Sequence, residues 1–221
     1  MFGENSLERS SVVEVHEKAY AKVNLLLRVG PVRGDGYHPV VTVLQNLDLH
    51  DDVRIAVRKG EGSRGRVEVA ADDPAVPIGA ENLAGKAALR LLEIAGAEDC
   101  AVSIDIKKRI PAAAGLAGGS SDAAAVLRGL SRALRLDLSP EDLLKVAAGL
   151  GSDVPACLVG GTLLGVGRGE RVACLRSKRF WWVLANPGAA LSTARVYAQF
   201  DAMGGGWWDG EAPERPLERL A

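Results

Sequence analysis

An α+β fold is predicted by three features of this chain. Strand-like stretches rich in β-branched residues dominate the first 71 residues, and segments with helical spacing and defined ends come later. The order is strands, helix, strand, glycine-rich loop and helix, without the regular strand–helix alternation of a doubly wound sheet.

The elements follow in order. Residues 1–11 are a polar lead-in with no sustained pattern. SVVEVHEKAYAKVNLLLRVG alternates and then turns apolar, which predicts one or two strands ending at Gly30. RGDGYHPV carries Asp-Gly turn chemistry, and Pro39 forbids helix nearby. VVTVLQNLDL and DDVRIAVRKG predict two successive strands around a polar HDD, and GRVEVAA a further short one before the loop DDPAVPIGA. In ENLAGKAALRLLEIAG, Leu83, Ala87, Leu91 and Ile94 recur at helical spacing and Gly96 ends the helix. CAVSIDIKKRI alternates as a strand, with Val102, Ile104 and Ile106 on one face. A glycine-rich stretch follows, and then a helix over SDAAAVLRGLSRALRL that starts near Ser121. LSPEDLLKVAAGLG predicts a helix with Ser139 as N-cap, Pro140 in the first turn and Asp142 three residues past the cap. ACLVGGTLLGVGRGERV reads as strand, turn and strand, and RFWWVLANPG as a buried strand ending in a turn. From about residue 201 the periodicity decays, and paired tryptophans sit among glycine and proline.

Composition narrows the function. With 221 residues, 48% of them hydrophobic, the chain can bury a substantial core in one or two domains. A net charge of −1 without a basic stripe excludes a general nucleic-acid groove. Apolar runs fall short of the ~20 residues of a membrane span, and the N-terminus is too polar for a signal peptide. Cys100, Cys157 and Cys174 are odd in number and widely spaced, matching neither a disulfide framework nor a zinc site. No two of the three histidines lie within helical reach of each other, which argues against a histidine metal cluster. A reduced cytoplasm is the expected setting.

The stretch PAAAGLAGGSS joins a strand to a helix. A helix N-terminus carries unpaired N–H groups and about half a positive charge, so it receives anions well. Glycines ahead of it let backbone wrap phosphates, and serine hydroxyls add donors or help hold Mg²⁺. A plain loop with a serine-capped helix has the same local signature. The Walker pattern fails because no lysine lies in the loop, and G-x-G-x-x-G does not fit GLAGG.

Three motifs in order resemble the GHMP kinases, whose phosphate loop is of type P-x-x-x-G-L-x-x-[SA]-[SA]. They are AYAKVNLLLRV with the later RGDGYHPVVTVLQNLDLHD, the loop PAAAGLAGGSSDAAA, and GSDVPACLVGGTLLGVGRGE. The form of all three is similar to the branch whose acceptor alcohol carries a cytidine diphosphate group, in the non-mevalonate route to isoprenoid precursors. The resemblance spans roughly residues 15–200. It implies a two-domain GHMP-kinase-like fold with a ribosomal protein S5 domain 2-like N-terminal domain, ATP and Mg²⁺ as cofactors, and phosphoryl transfer to a small-molecule hydroxyl. It implies no nucleic-acid or membrane partner. Another kinase of the family, such as homoserine kinase, stays open, and so does a form that binds nucleotide without turnover.

The resemblance also implies site residues. Pro111, Ala112, Ala113, Ala114, Gly115, Leu116, Ala117, Gly118, Gly119, Ser120 and Ser121 would cradle the ATP phosphates, with the serines also capping the helix. Asp122, in the first turn, would suit the helix dipole. Asp153 would be the catalytic base and Lys22 its charged partner, since transfer needs a proton acceptor and compensation of developing negative charge. Asp before Val-Pro is equally good turn chemistry, and a strand lysine is often an edge charge. Asn24, on the face of Lys22, would bind substrate or orient the lysine. Tyr37 and His38 would hold the cytosine, the aromatic face by stacking and the imidazole by reading the base edge. Tyr197 would cover the other face of the base, and Thr193, at a strand edge, would touch substrate. Residues 1–170 would form the N-terminal ATP-binding domain, and 171–221 part of a second domain. The second domain is expected to be incomplete, because MGGGWWDG lacks the serines of the family's late glycine-rich segment.

Overall fold

The computed structural model describes residues 12–60, 65–79, 81–97, 99–186, 188 and 192–205. The lead-in and the paired tryptophans near the C-terminal end lie outside them. The fold is α+β, as the order of elements predicts.

A long strand organises the molecule. β1 (Val12–Val29) pairs antiparallel with β2 (Val40–Lys59) along nearly its whole length. The opposite edge of β2 is shared end to end. Its second half, from Asp52, pairs with β4 (Cys100–Lys107), and its first half, to Gln45, pairs with β5 (Thr162–Gly167). β3 (Val67–Ala71) adds to β4 in parallel and β6 (Arg171–Cys174) adds to β5, giving the order β3-β4-β2-β5-β6 with β1 on the other edge of β2.

β2 is one strand where two were expected. The polar HDD does not break it, because Asp51 finds Lys108 and the Arg109 and Ile110 amides, while Asp52 pairs with Arg109. A charged residue inside a strand is tolerated when its partners are brought to it.

α1 (Leu83–Ala95) and α2 (Gly118–Ala133) cover one face of the sheet. Val53, Ile55 and Val57 of β2 and Val102, Ile104 and Ile106 of β4 form the core with Leu91 of α1 and Leu127 and Leu130 of α2. Each such side chain, taken wholly from water, contributes about 1.5–3 kcal/mol. α1 begins on Asn82, whose Oδ1 accepts from the Ala84 and Gly85 amides, and ends on left-handed Gly96. Its buried stripe is Ala84, Ala87, Ala88, Leu91 and Leu92, whereas Ile94 is exposed. The small residues decide this, since α1 packs closely on the equally small face of α2. Where α2 crosses β2, a Cβ on Gly129 would stand 2.6 Å from Ile55 Cδ1, so a larger residue would force that side chain to shift.

α3 (Pro140–Leu150) starts on Ser139, whose Oγ accepts from the Asp142 amide, as predicted. α4 (Val154–Val159) replaces the strand expected at ACLV, because Pro155 in its first turn suits a helix start and its apolar side packs on α2. RFWWVLANPG is neither a strand nor buried. Trp181 and Val183 are fully exposed, and no described strand continues the sheet beyond β6 to pair with the segment. α5 (Thr193–Ala202), capped by Ser192, ends the described chain. No helix among the described residues is long and apolar enough to cross a membrane.

Candidate active site

Lys22 lies in β1 between two register shifts, where the strand leaves regular pairing with β2. Its ammonium is buried and donates to Asn24 Oδ1 at 2.9 Å. Asn24 Nδ2 donates to Thr42 Oγ1 at 2.8 Å, and that hydroxyl donates to the Leu26 carbonyl at 2.8 Å. Because each donor has one acceptor, the chain of bonds fixes the Asn24 amide with its oxygen toward the lysine. On the other side, Lys22 Nζ lies 3.5 Å from Asp153 Oδ2. Asp153 precedes α4 without a side-chain capping bond and keeps 38% of its side chain exposed. The pair therefore presents a held ammonium and a carboxylate open to solvent. Thr42 is a member of this network that motif reading did not single out. Its only sequence signal is a polar residue on the buried face of β2.

The glycine loop lies against the same strand, with the Lys22 amide donating to the Leu116 carbonyl at 3.1 Å. Ala113, Gly115 and Ala117 have φ of 53°, 75° and 60°. α2 starts at Gly118 instead of near Ser121, and its cap, Ala117, has no side chain to cover the first-turn amides. α1, α3 and α5 all begin on a side-chain cap. The helix behind the glycine loop thus opens with uncapped donors, the arrangement that suits an anion. Nothing lies within 4 Å of a Cβ built on Gly119, so the space above the first turn is open.

The serines do not cap. Ser121 is buried in the second turn, and its Oγ donates to the Tyr20 carbonyl at 2.6 Å and lies 3.3 Å from Cys157 Sγ. Ser120 is partly exposed in the first turn. Asp122 is also past the first turn and does not serve the dipole. It is buried against Lys108 Nζ at 2.7 Å, and the same ammonium lies 2.6 Å from Asp51 Oδ2. Burial, with Asp51 nearby, pushes the Asp122 carboxyl up to about 7 against the pull of Lys108. Burial disfavours the charge on Lys108, but the two carboxylates outweigh it and hold the ammonium above its usual range. Sequence reading passed over this cluster, although KKRIP ahead of the loop and HDD in a strand were its visible parts.

The third group lies at the turn after β1. Tyr37 is half exposed, with the Arg168 guanidinium 4.7 Å from its ring centroid. His38 is buried, and its Nδ1–H donates to the Gly30 carbonyl at 2.9 Å. Its Nε2 lies 3.4 Å from Asp201 of α5, and its ring packs on Tyr197 with centroids 4.9 Å apart. Both ring nitrogens thus face protein groups. Burial, and to a lesser degree the Asp153 carboxylate, hold the Tyr197 phenol above its usual range. Thr193 is the exposed first residue of α5 and not a strand-edge residue, since Ser192 starts a helix there.

An open cleft of about 1260 Å³ lies elsewhere, between the middle of β2, α4 and the segment around Trp181 and Trp182. Neither Lys22, Asp153 nor any residue of the glycine loop lines it. An exposed segment forms one of its walls.

Residues 82–161 match the family described as GHMP kinases N terminal domain. A protein of Nocardioides sp. named 4-diphosphocytidyl-2-C-methyl-D-erythritol kinase is 44% identical over 201 residues, 90% of this chain and 66% of that protein. A protein of the same name from Leifsonia xyli subsp. xyli is 44% identical over 194 residues, 85% of this chain and 61% of that protein. The chain therefore spans slightly less than two thirds of these curated relatives. The crystal structure of a 4-(cytidine 5'-diphospho)-2C-methyl-D-erythritol kinase aligns with a TM-score of 0.65 at 35% identity, covering 93% of this chain and 71% of that one.

Proposed function

The chain belongs to the GHMP kinase family, and on that premise we propose that it transfers a phosphoryl group from ATP to the 2-hydroxyl of 4-diphosphocytidyl-2-C-methyl-D-erythritol. The observation that carries this reading is the Lys22–Asp153 pair, 3.5 Å apart, with Lys22 on the strand that also holds the uncapped glycine loop.

Asp153 accepts the proton of the acceptor hydroxyl as the oxygen attacks phosphorus, and the bond from phosphorus to the leaving oxygen breaks. Lys22, held by Asn24, keeps the carboxylate in place and offsets negative charge on the transferring oxygens. Gly115 to Ser120 present backbone donors to the phosphates, and open space at Gly119 lets them approach the first turn. When bound, Mg²⁺ would neutralise phosphate charge, and an uncommitted hydroxyl beside the loop would help to hold it. Ser120 fits that role, whereas the Ser121 hydroxyl is committed to the Tyr20 carbonyl. Tyr37 and Tyr197 flank the cytosine, with His38 bracing Tyr197 from behind and Thr193 at the rim.

ADP release from the full chain with ATP, Mg²⁺ and 4-diphosphocytidyl-2-C-methyl-D-erythritol tests the reading. Release that depends on the acceptor and vanishes in Asp153→Ala is the expected result. A folded chain that binds ATP without acceptor-dependent release would replace it with a nucleotide-binding role.

A further inference from the structure

The glycine loop is held in a costly conformation. Two of its three left-handed residues, Ala113 and Ala117, are alanines, whose Cβ crowds the following carbonyl in that region. Such backbone persists only where its surroundings over-determine it.

The surroundings here are a single buried ion cluster gripping both ends of the loop. On the entering side, Asp51 Oδ1 accepts from the Arg109 and Ile110 amides at 2.5 and 2.8 Å, immediately before Pro111. On the leaving side, Asp122 of α2 binds the Lys108 ammonium, which returns to Asp51 Oδ2. Gly118 is part of the same arrangement, since a Cβ built there stands 3.3 Å from Lys108 Nζ. All three charged side chains are more than nine-tenths buried, and Asp122 Oδ1 has no hydrogen-bond partner among the described residues.

Resting on the phosphate-loop reading above, we propose that Lys108, Asp51 and Asp122 are positioning residues that set the span and shape of the glycine loop for adenine nucleotide. Charge attraction is not their means. At pH 8, the pH of the measurement below, Asp122 is largely ionised, and two carboxylates against one ammonium leave an excess negative charge beneath a site that receives an anion. Electrostatics alone would therefore make loss of Asp122 tighten nucleotide binding, and loss of positioning would weaken it. The two accounts differ in sign.

The experiment measures calorimetric affinity at pH 8 for ATP with Mg²⁺, and for cytidine diphosphate, in the full chain, Asp122→Ala and Asp122→Asn. Hydrogen exchange of residues 111–119 is followed alongside. Asp122→Ala is expected to weaken ATP about tenfold, to leave cytidine diphosphate within about twofold, and to speed exchange in the loop. Asp122→Asn, which can still accept from Lys108, is expected to retain wild-type loop exchange and to bind ATP no more weakly than the wild type. Asp122→Ser, too short to reach Lys108, replaces the alanine variant if that one does not fold. ATP binding that is unchanged or tighter in the truncated variant, equal loss of both ligands, or unaltered loop exchange overturns the inference alone. A wild-type chain that binds cytidine diphosphate but no ATP overturns it together with the functional reading.

Discussion

The two halves of β2 support two differently built regions. Under its second half, charged groups are buried and paired, with Asp51, Lys108 and Asp122 enclosed beneath α2 and a core of leucine, isoleucine and alanine behind them. At its first half Lys22 and His38 are buried, but their neighbours reach solvent. Tyr37 and Asp153 are partly exposed, and Tyr197 reaches the site from α5, which buries none of its residues. On the functional reading proposed above, the nucleotide side is shaped before ligand arrives. The acceptor side is a set of surfaces that ligand would bring together, and its contacts should be lost one at a time without loss of the fold.

The largest effect that would sharpen this contrast is at Asp153. Asp153→Ala should lower kcat by about 10²–10⁴-fold, the usual contribution of a positioned base, while ATP affinity and melting temperature hold. Unfolding of this variant would show the carboxylate to be structural and break the contrast. Next comes the buried half: Leu127→Ala should cost about 2–5 kcal/mol in denaturant titrations, because the side chain is enclosed on all sides. On the open half, Tyr197→Ala should raise the acceptor KM about tenfold, as loss of one stacking face of a base would, with the KM for ATP unmoved. Equal losses in both constants would show that Tyr197 supports the whole site.

A smaller effect concerns pH. The folded Asp122 carboxyl keeps its proton to about 7, whereas in the unfolded chain it ionises near 4. Between those values the folded state binds more protons, so this group's contribution to stability falls as pH rises through the window. Asp122→Asn should flatten that part of the stability–pH curve between about pH 4 and pH 7. An unchanged slope would mean that Asp122 is ionised throughout. The smallest effect is at Trp181, which is fully exposed, so Trp181→Ser should change stability by less than about 0.5 kcal/mol.

How much of this was readable in sequence varies between the same two regions. The helix ends at Gly96 and Ser139, and the buried face of Val102, Ile104 and Ile106, follow from signals within a few residues, and the structure bears them out. The glycine loop and the residues around it were visible as spacing. Helix starts signalled by serine were misread at Ser121, because its hydroxyl is taken by a carbonyl of β1, about a hundred positions away in sequence. RFWWVLANPG has the composition of a central strand, yet no strand among the described residues pairs with residues 179–186, and Trp181 and Val183 stay in solvent.

By itself the sequence determined the α+β order, the strand and helix periodicities, and the three motifs that tie this chain to its family. All of these depend on which residues stand near one another along the chain. Tertiary structure alone decided that HDD lies inside a strand, that Asp122 is buried against Lys108, and that Lys22 faces Asp153. Whether a charge is buried, and with what partner, is settled by segments far apart in sequence, and local spacing carries no record of them.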